Sequence, residues 1–214
     1  MIKLRIATGL GLVLFMAAVA CGPVGMNQPR ANGDGVTLAS LVGKFTSKGS
    51  GSYTVCFTDN FTMGVDCASA QHQEVQFKVT TVSHPTRDPA GNSCGVTTAS
   101  NTATDGPDYG AKFPARMNFT RTNVSTTTSF DPTTGSGSSN FRQYLGGRCD
   151  GAVFDSTGAV LTGTGTQSFM VSDSGNRLET IITSFSVVTN PFGVAGMVKE
   201  TMPMIKTTYI RQSD

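Results

Sequence analysis

Alternation of apolar and polar residues is the clearest pattern in the chain. In residues 74–80 the apolar side chains Val75, Phe77 and Val79 occupy every second position, which gives a strand one dry face and one wet face. Noisier segments of the same kind occur at residues 42–46, 52–58, 115–124, 151–154, 165–171, 178–188, 194–199 and 205–210. These segments predict about eight or nine strands.

Turn sequences join several of these segments. Asp155-Ser156-Thr157-Gly158 and Asp173-Ser174-Gly175-Asn176 place Asp first and supply Gly where a positive φ is needed. Beyond residue 21, residues 38–42 offer at best one short helical turn. The sequence therefore predicts an all-β domain, either a single antiparallel β-barrel of about eight strands or a two-sheet β-sandwich.

Two stretches lack the alternation. Residues 84–114 and 125–140 are dominated by Thr, Ser, Gly, Asn, Asp and Pro, which are typical of turns and loops. We expect two long surface loops here, and long ordered loops often carry binding sites.

The first twenty residues show a different order. Lys3 and Arg5 precede an almost unbroken apolar run over residues 6–20, which contains no acidic residue. A charged start followed by an apolar run is typical of a secretory signal. The run is shorter than the roughly 20 residues that a spanning helix needs. Residues 1–20 are therefore predicted to be a signal peptide.

The end of this run carries a second signal. Ala18-Val19-Ala20-Cys21 resembles the lipobox of bacterial lipoproteins, in which the cysteine is lipidated and becomes the first residue of the mature protein. The resemblance implies a membrane anchor through lipid on Cys21 and a place in the cell envelope. Gly22 implies the outer membrane if the host is Gram-negative. The same small residues also fit ordinary signal cleavage, which would leave Cys21 unmodified.

The remaining chain divides into two parts. Residues 21–40 contain Gly, Pro and Asn without a periodic apolar pattern, which is typical of a flexible tether. Residues 41–214 are predicted to form a single β domain, because a chain of this length commonly builds one core.

Four cysteines remain after Cys21: Cys56, Cys67, Cys94 and Cys149. An even number in an exported protein predicts disulfides, and four cysteines allow three pairings. We favour Cys56 with Cys67, which flank a short polar segment. The second pair is then Cys94 with Cys149, which would pin one predicted loop beside the other.

Charge and composition argue against some partners. The chain has 16 Lys and Arg against 14 Asp and Glu, so removal of Lys3 and Arg5 leaves the mature protein formally neutral. The sequence contains no basic run and no Trp. A nucleic-acid groove needs clustered cations and aromatic platforms, and we therefore expect no nucleic-acid partner.

Catalytic and metal-binding patterns are weak. His72 and His84 are the only histidines, and we expect both to be solvated, His84 in a loop. Asp173-Ser174-Gly175 resembles the aspartic protease triplet, but its flanking residues favour a turn. Asp105 and Asp108 are too few oxygen ligands for calcium, and no close Cys/His cluster suggests zinc. We predict no catalytic residue, metal or cofactor.

One further resemblance bears on the fold. Gly43-Lys44-Phe45 is similar to the Gly-x-Trp start of the first lipocalin strand, with Phe in place of Trp. Arg211 stands where lipocalins carry a basic residue that packs across that ring. The resemblance implies a barrel that holds a small apolar ligand.

Two functions follow as hypotheses. The first is a non-enzymatic binding module in the cell envelope for a small apolar ligand, a glycan or a protein. The alternative is a structural or interaction lipoprotein with a filled core and no ligand. A barrel of about eight strands permits either. An apolar cavity of roughly 300 Å³ or more with a few convergent polar groups would favour the first.

Overall fold

The structure is a computed structural model that describes residues 36–58, 72–105, 116–188, 197–201 and 205–213. The described ranges are almost entirely β. The strands are β1 (Gly43–Thr58), β2 (His72–Arg87), β3 (Asn92–Asp105), β4 (Arg116–Asp131), β5 (Ser136–Leu145), β6 (Arg148–Asp150), β7 (Val153–Asp155), β8 (Val160–Ser172), β9 (Arg177–Val187), β10 (Met197–Thr201) and β11 (Lys206–Arg211).

Eight of these strands close into an antiparallel barrel. The order around the barrel is β1, β2, β3, β4, β5, β8, β9 and β11, and β1 closes it by pairing with both β2 and β11. Ser47 of β1, for example, has Ser83 and Tyr209 as its two cross-strand partners. β10 extends the closing edge along the second half of β1. The predicted barrel is confirmed, and the alternative of a two-sheet sandwich is not adopted.

Every second side chain of β2 points into the barrel, as the sequence predicts. Phe77 and Val79 are buried, while Gln76, Lys78 and Thr80 between and beside them are exposed. The side chain of Val75 lies outside the described set.

The two predicted long loops are wrong in the described residues, and residues 106–114 of the first lie outside them. Residues 92–105 form β3, and β4 continues to Asp131 before β5 begins at Ser136. The reason is the character of the interior, where β3 presents Ser93, Gly95 and Thr97 to the barrel lumen. Small and polar residues on both faces remove the apolar contrast by which a half-buried strand is recognised.

One end of the barrel is closed by an apolar cluster. Val36, Leu41, Phe169, Val171 and Leu178 are its buried members. Leu41 ends a short 3-10 helix (Leu38–Leu41). The predicted helical turn is therefore present. The predicted tether of residues 21–40 is too long, because Val36 and this helix already pack under the barrel.

Arg211 locks the N-terminal segment to the last strand. Its guanidinium carbon lies 5.1 Å from the centre of the Phe45 ring, so the predicted packing across this ring is observed. The same group donates hydrogen bonds to the carbonyl oxygens of Ser40 and Val42, and to that of Gly175 at 3.1 Å. A Cβ on Gly43, where φ is +129°, would lie 3.0 Å from Arg211 Nη1, so the close approach requires glycine.

A disulfide holds a small hairpin against the outside of the barrel. Cys94 lies between two lumen-facing residues of β3, so it points outward, yet only 1% of it is exposed. Its partner is Cys149 of β6, which pairs with β7. This predicted pair is confirmed, although both cysteines lie in strands and not in loops.

In the described part of the chain, no helix is long and apolar enough to cross a membrane.

Candidate ligand-binding cavity

The barrel lumen contains a partly open cavity of about 130 Å³. Its polar lining includes two arginines, two glutamines, an asparagine, two tyrosines and several hydroxyls, whereas none of the described lining residues is acidic. The polar lining residues include Ser83, Arg87, Ser93, Thr97, Arg121, Asn123, Ser125, Gln143, Gln167, Thr180 and Tyr209. The apolar lining residues include Val79, Ala99, Phe141, Leu178, Ile182 and Ile205.

A connected polar layer crosses the middle of the lumen. Thr97 Oγ1 donates to Ser83 Oγ at 2.9 Å and accepts from Asn123 Nδ2 at 2.6 Å. Ser83 of β2 and Thr97 of β3 are direct cross-strand partners, and Asn123 lies in β4. These contacts therefore join three neighbouring strands. The Oδ1 of Asn123 is buried and has no hydrogen-bond partner among the described atoms. An unmet acceptor of this kind marks a place that water or a ligand can complete.

Arg87 brings a positive charge into the lumen near the closed end. Only 4% of the residue is exposed, and its guanidinium carbon lies 5.6 Å from the centre of the Phe169 ring. Its Nη1 donates to Thr127 Oγ1 at 3.5 Å, a long contact for one of five donors. Burial lowers the pKa of Arg87, and interactions with Tyr209 and Asp88 oppose that shift.

The adjacent carboxylate does not pair with this charge directly. Asp88 accepts hydrogen bonds from the backbone N–H and the side-chain amide of Asn92, at 2.8 and 3.0 Å. Those hydrogen bonds hold the pKa of Asp88 below its usual value although partial desolvation acts in the opposite direction. Asp88 thus serves the turn that follows β2.

Arg121 is the second lumen-facing arginine. It is 3% exposed, its guanidinium carbon lies 4.1 Å from the centre of the Phe119 ring, and its Nη1 donates to Gln143 Oε1 at 2.7 Å. Its stacking and its amide partner fix its position, so it adds a fixed positive field to the cavity.

Tyr209 of β11 provides a neutral hydroxyl in the lumen, within the electrostatic influence of Arg87. Burial raises the pKa of this phenol, while the charge of Arg87 and the hydroxyls of Ser83, Ser47 and Thr180 act to lower it. Because an unperturbed phenol already titrates near 10, Tyr209 is protonated at neutral pH. It can therefore both donate and accept a hydrogen bond.

The outer face of the barrel has an open depression of about 560 Å³. Arg142, Thr166 and Ser184 in its lining are exposed, and the rings of Tyr144 and Phe154 lie 4.5 Å apart at one side. It faces solvent on the outside of the barrel.

The structure places the sequence-predicted residues unevenly. Cys94 and Cys149 are bonded on the outer surface, away from the cavity. Cys21 and Cys67 lie outside the described residues, and of Cys56 only the position in β1 is described. The predicted pair of Cys56 and Cys67 therefore stays a prediction.

The other candidates do not meet at a site. His84 lies in β2 and not in a loop, and its side chain is exposed as expected. Asp173 lies in the predicted turn between β8 and β9. The side chains of His72 and Asp105 and the whole of Asp108 lie outside the described set. Within the described ranges, no group of three or more His, Cys, Asp or Glu residues could hold a metal ion.

Sequence reasoning missed the lumen-facing arginines. In isolation Arg87 and Arg121 look like surface charges in a polar chain. The alternation of the strand could have found Arg87. Val79, Ser83 and Arg87 are separated by even numbers of residues, so their side chains lie on the same face of a strand. Continuing the alternation beyond residue 80 would therefore place Arg87 inside.

No protein-family model, curated protein or solved structure matches the chain significantly.

Replacing Arg87 with methionine is expected to raise the free energy of unfolding of the ligand-free protein by about 1–2 kcal/mol, because it removes an incompletely compensated buried charge and keeps the volume. Denaturant unfolding measures this change. Arg87→Lys keeps the charge and serves as the control, with no gain expected. A loss of stability in Arg87→Met would show that Arg87 is a structural brace.

Proposed function

We propose that this protein is a binding module of the cell envelope, which holds one small molecule inside its barrel without a catalytic step. The observation that carries the proposal is the cavity in the barrel lumen, in which polar groups from β2, β3, β4 and β11 converge and apolar side chains complete the lining. Convergent polar groups in a concave site are typical of ligand binding.

The size of the cavity limits the ligand. At about 130 Å³ it does not reach the roughly 300 Å³ that would favour a binding module for a drug-sized molecule, so the proposal rests on the polar groups in its lining. An engineered cavity of about 150 Å³ in another protein binds benzene. The ligand therefore has the size of a single ring or a short chain, which is smaller than the lipocalin resemblance suggests.

Space remains in the lumen beside a packed ring. Gly165 stands opposite Phe141, and a Cβ at this glycine would lie 2.6 Å from the Phe141 ring. The ring therefore packs against the bare backbone of β8, its cross-strand neighbour. The cavity lined by Phe141 and Arg87 remains beside it, which supports a ligand over a filled core.

The proposed location in the cell envelope rests on the predicted signal peptide and on Cys21. A lipid on Cys21 would anchor the mature protein to a membrane, since several acyl chains on one residue give stable binding. The chain between Cys21 and Val36 would then hold the barrel away from the bilayer. Outer-membrane placement applies if the host is Gram-negative.

Native mass spectrometry of the protein, produced with its leader and purified after export, tests ligand binding. We expect a reproducible added mass of at most a few hundred daltons, which disappears on denaturation. A clean protein mass, together with no binding in a screen of small molecules, would favour the structural lipoprotein with no ligand.

Replacing Cys21 with serine is expected to release the protein from washed membranes while the barrel stays folded, because the anchor is lost and residue 21 precedes the packed domain. Membrane fractionation with a far-UV circular dichroism control measures both effects. Cys67→Ser is a matched control that leaves the proposed lipid site intact. Retention of the Cys21→Ser protein in the membrane fraction would contradict lipid anchoring at this residue.

A further inference from the structure

Arg87 is a buried charge in the cavity with one long hydrogen bond to a described residue. Its guanidinium has five donors, and its described hydrogen bond is the 3.5 Å contact with Thr127 Oγ1. A buried charge is stable in proteins when it is paired or well hydrogen-bonded. The direct pairing that Arg87 lacks can be supplied by an anion inside the barrel.

Neutral donors lie beside this charge. Ser93 is the cross-strand partner of Arg87 on β3, and its hydroxyl lies 2.7 Å from that of Ser125 on β4. Both serines are buried and line the cavity. One hydroxyl of such a pair donates to the other, and the remaining proton is free to point to an incoming oxygen. Arg87, Ser93 and Ser125 together form what we call the anion niche.

An apolar side chain also lies near the anion niche. Leu178 lines the cavity, is 2% exposed and belongs to the same apolar cluster as Phe169, over whose ring Arg87 lies. The apolar lining residue Val79 is eight positions from Arg87 on β2, about 26 Å along an extended strand, and lies too far away to contact the same small molecule. Inorganic phosphate or sulfate would leave Leu178 without a partner.

We propose that the barrel binds a small organic carboxylate, with the carboxylate in the anion niche and its apolar body against Leu178. This inference rests on the proposed function and names its ligand class. Arginine binds a carboxylate through two parallel hydrogen bonds, and the ring or short chain of such an acid matches the size of the cavity.

Isothermal titration calorimetry with two probes of equal shape tests the ligand class. Benzoate and benzamide differ at the group that enters the anion niche, and sodium sulfate supplies an anion without an apolar body. For the wild-type protein we expect benzoate to bind at least tenfold more tightly than benzamide, and sulfate to bind more weakly than benzoate. A charged hydrogen bond accounts for an effect of about this size.

Two variants locate the binding. Arg87→Gln is expected to weaken benzoate binding by about tenfold or more and to change benzamide binding by less than about twofold. Arg142→Gln is the matched control, since it removes an arginine from the exposed outer face, and it is expected to leave both affinities unchanged. If Arg87→Gln does not fold, the Nε–H resonance of Arg87 in the wild-type protein must shift on addition of benzoate and not of benzamide.

The outcomes separate the two proposals. Equal binding of benzoate and benzamide would overturn the carboxylate inference and leave the small-molecule site standing. Sulfate binding as tightly as benzoate would overturn the organic part. If none of the three probes binds to the folded wild-type protein, the carboxylate inference is overturned, while native mass spectrometry decides on the binding function separately.

Discussion

Replacing Cys94 with alanine is expected to lower the free energy of unfolding by about 4 kcal/mol. The bond joins residues 55 positions apart, and the chain-entropy model gives a stabilisation of this size for such a loop. The substitution also leaves a small cavity, because Cys94 is 1% exposed beneath the β6–β7 hairpin. Chemical denaturation of the oxidised wild-type protein and of the variant measures the difference.

The partner cysteine provides the control. Cys149→Ala breaks the same bond, so its effect should be similar, and the double variant should be little worse than either single variant. Reduction of the wild-type protein should lower its stability towards that of the variants. Equal stability of oxidised wild-type protein and Cys94→Ala would contradict a stabilising role for this disulfide.

Replacing Phe45 with alanine is expected to cost about 3–5 kcal/mol, the range for a large ring removed from a packed core. Phe45 is 1% exposed, and its loss removes the surface over which Arg211 packs. The carbonyl oxygens of Ser40, Val42 and Gly175 depend on that arginine for hydrogen bonds. Loosening of Arg211 therefore weakens the whole closed end of the barrel.

Denaturant unfolding of Phe45→Ala, Arg211→Ala and the double variant measures this coupling. We expect the double variant to lose less than the sum of the two single losses, because the residues act as one unit. Ile210→Ala is a suitable control on the same strand, since Ile210 is 47% exposed and its loss should change stability by less than about 0.5 kcal/mol. Strict additivity would contradict the coupling between Phe45 and Arg211.

The sequence predicts the parts of the fold in which apolar and polar side chains alternate or in which turn residues stand at the required positions. β2 is recognised because Phe77 and Val79 alternate with polar residues. The turn at Asp173-Ser174-Gly175 is recognised because Asp comes first and Gly supplies a positive φ, which Gly175 adopts; the positive φ of Asp173 and Ser174 is not predicted. The bond between Cys94 and Cys149 follows from an even cysteine count and from compartment, although the strands that carry the two cysteines were not foreseen.

The parts that the sequence does not predict share one physical cause, which is a polar interior. β3 and the second half of β4 place Ser93, Thr97 and Ser125 inside the barrel, so the inner face resembles the outer one. The Thr, Ser, Gly and Asn residues of these segments then predict loops instead of strands. Backbone pairing around a closed barrel holds these strands in place, and this long-range constraint leaves little trace in a local window.

The candidate site was missed for the same reason. A search for clustered His, Cys and acidic residues overlooks a site built from Arg87 and hydroxyls. The prediction of a small apolar ligand is carried forward as a proposal, and the anion niche refines it to a small molecule with one charged end.

A crystal structure of the protein grown with benzoate tests whether the barrel binds a carboxylate at Arg87. We expect density for one benzoate inside the barrel, with its two carboxylate oxygens within hydrogen-bonding distance of the Arg87 guanidinium and its ring against Leu178. A lumen filled by ordered water or by repacked side chains, with Arg87 hydrogen-bonded to protein groups, would contradict carboxylate binding.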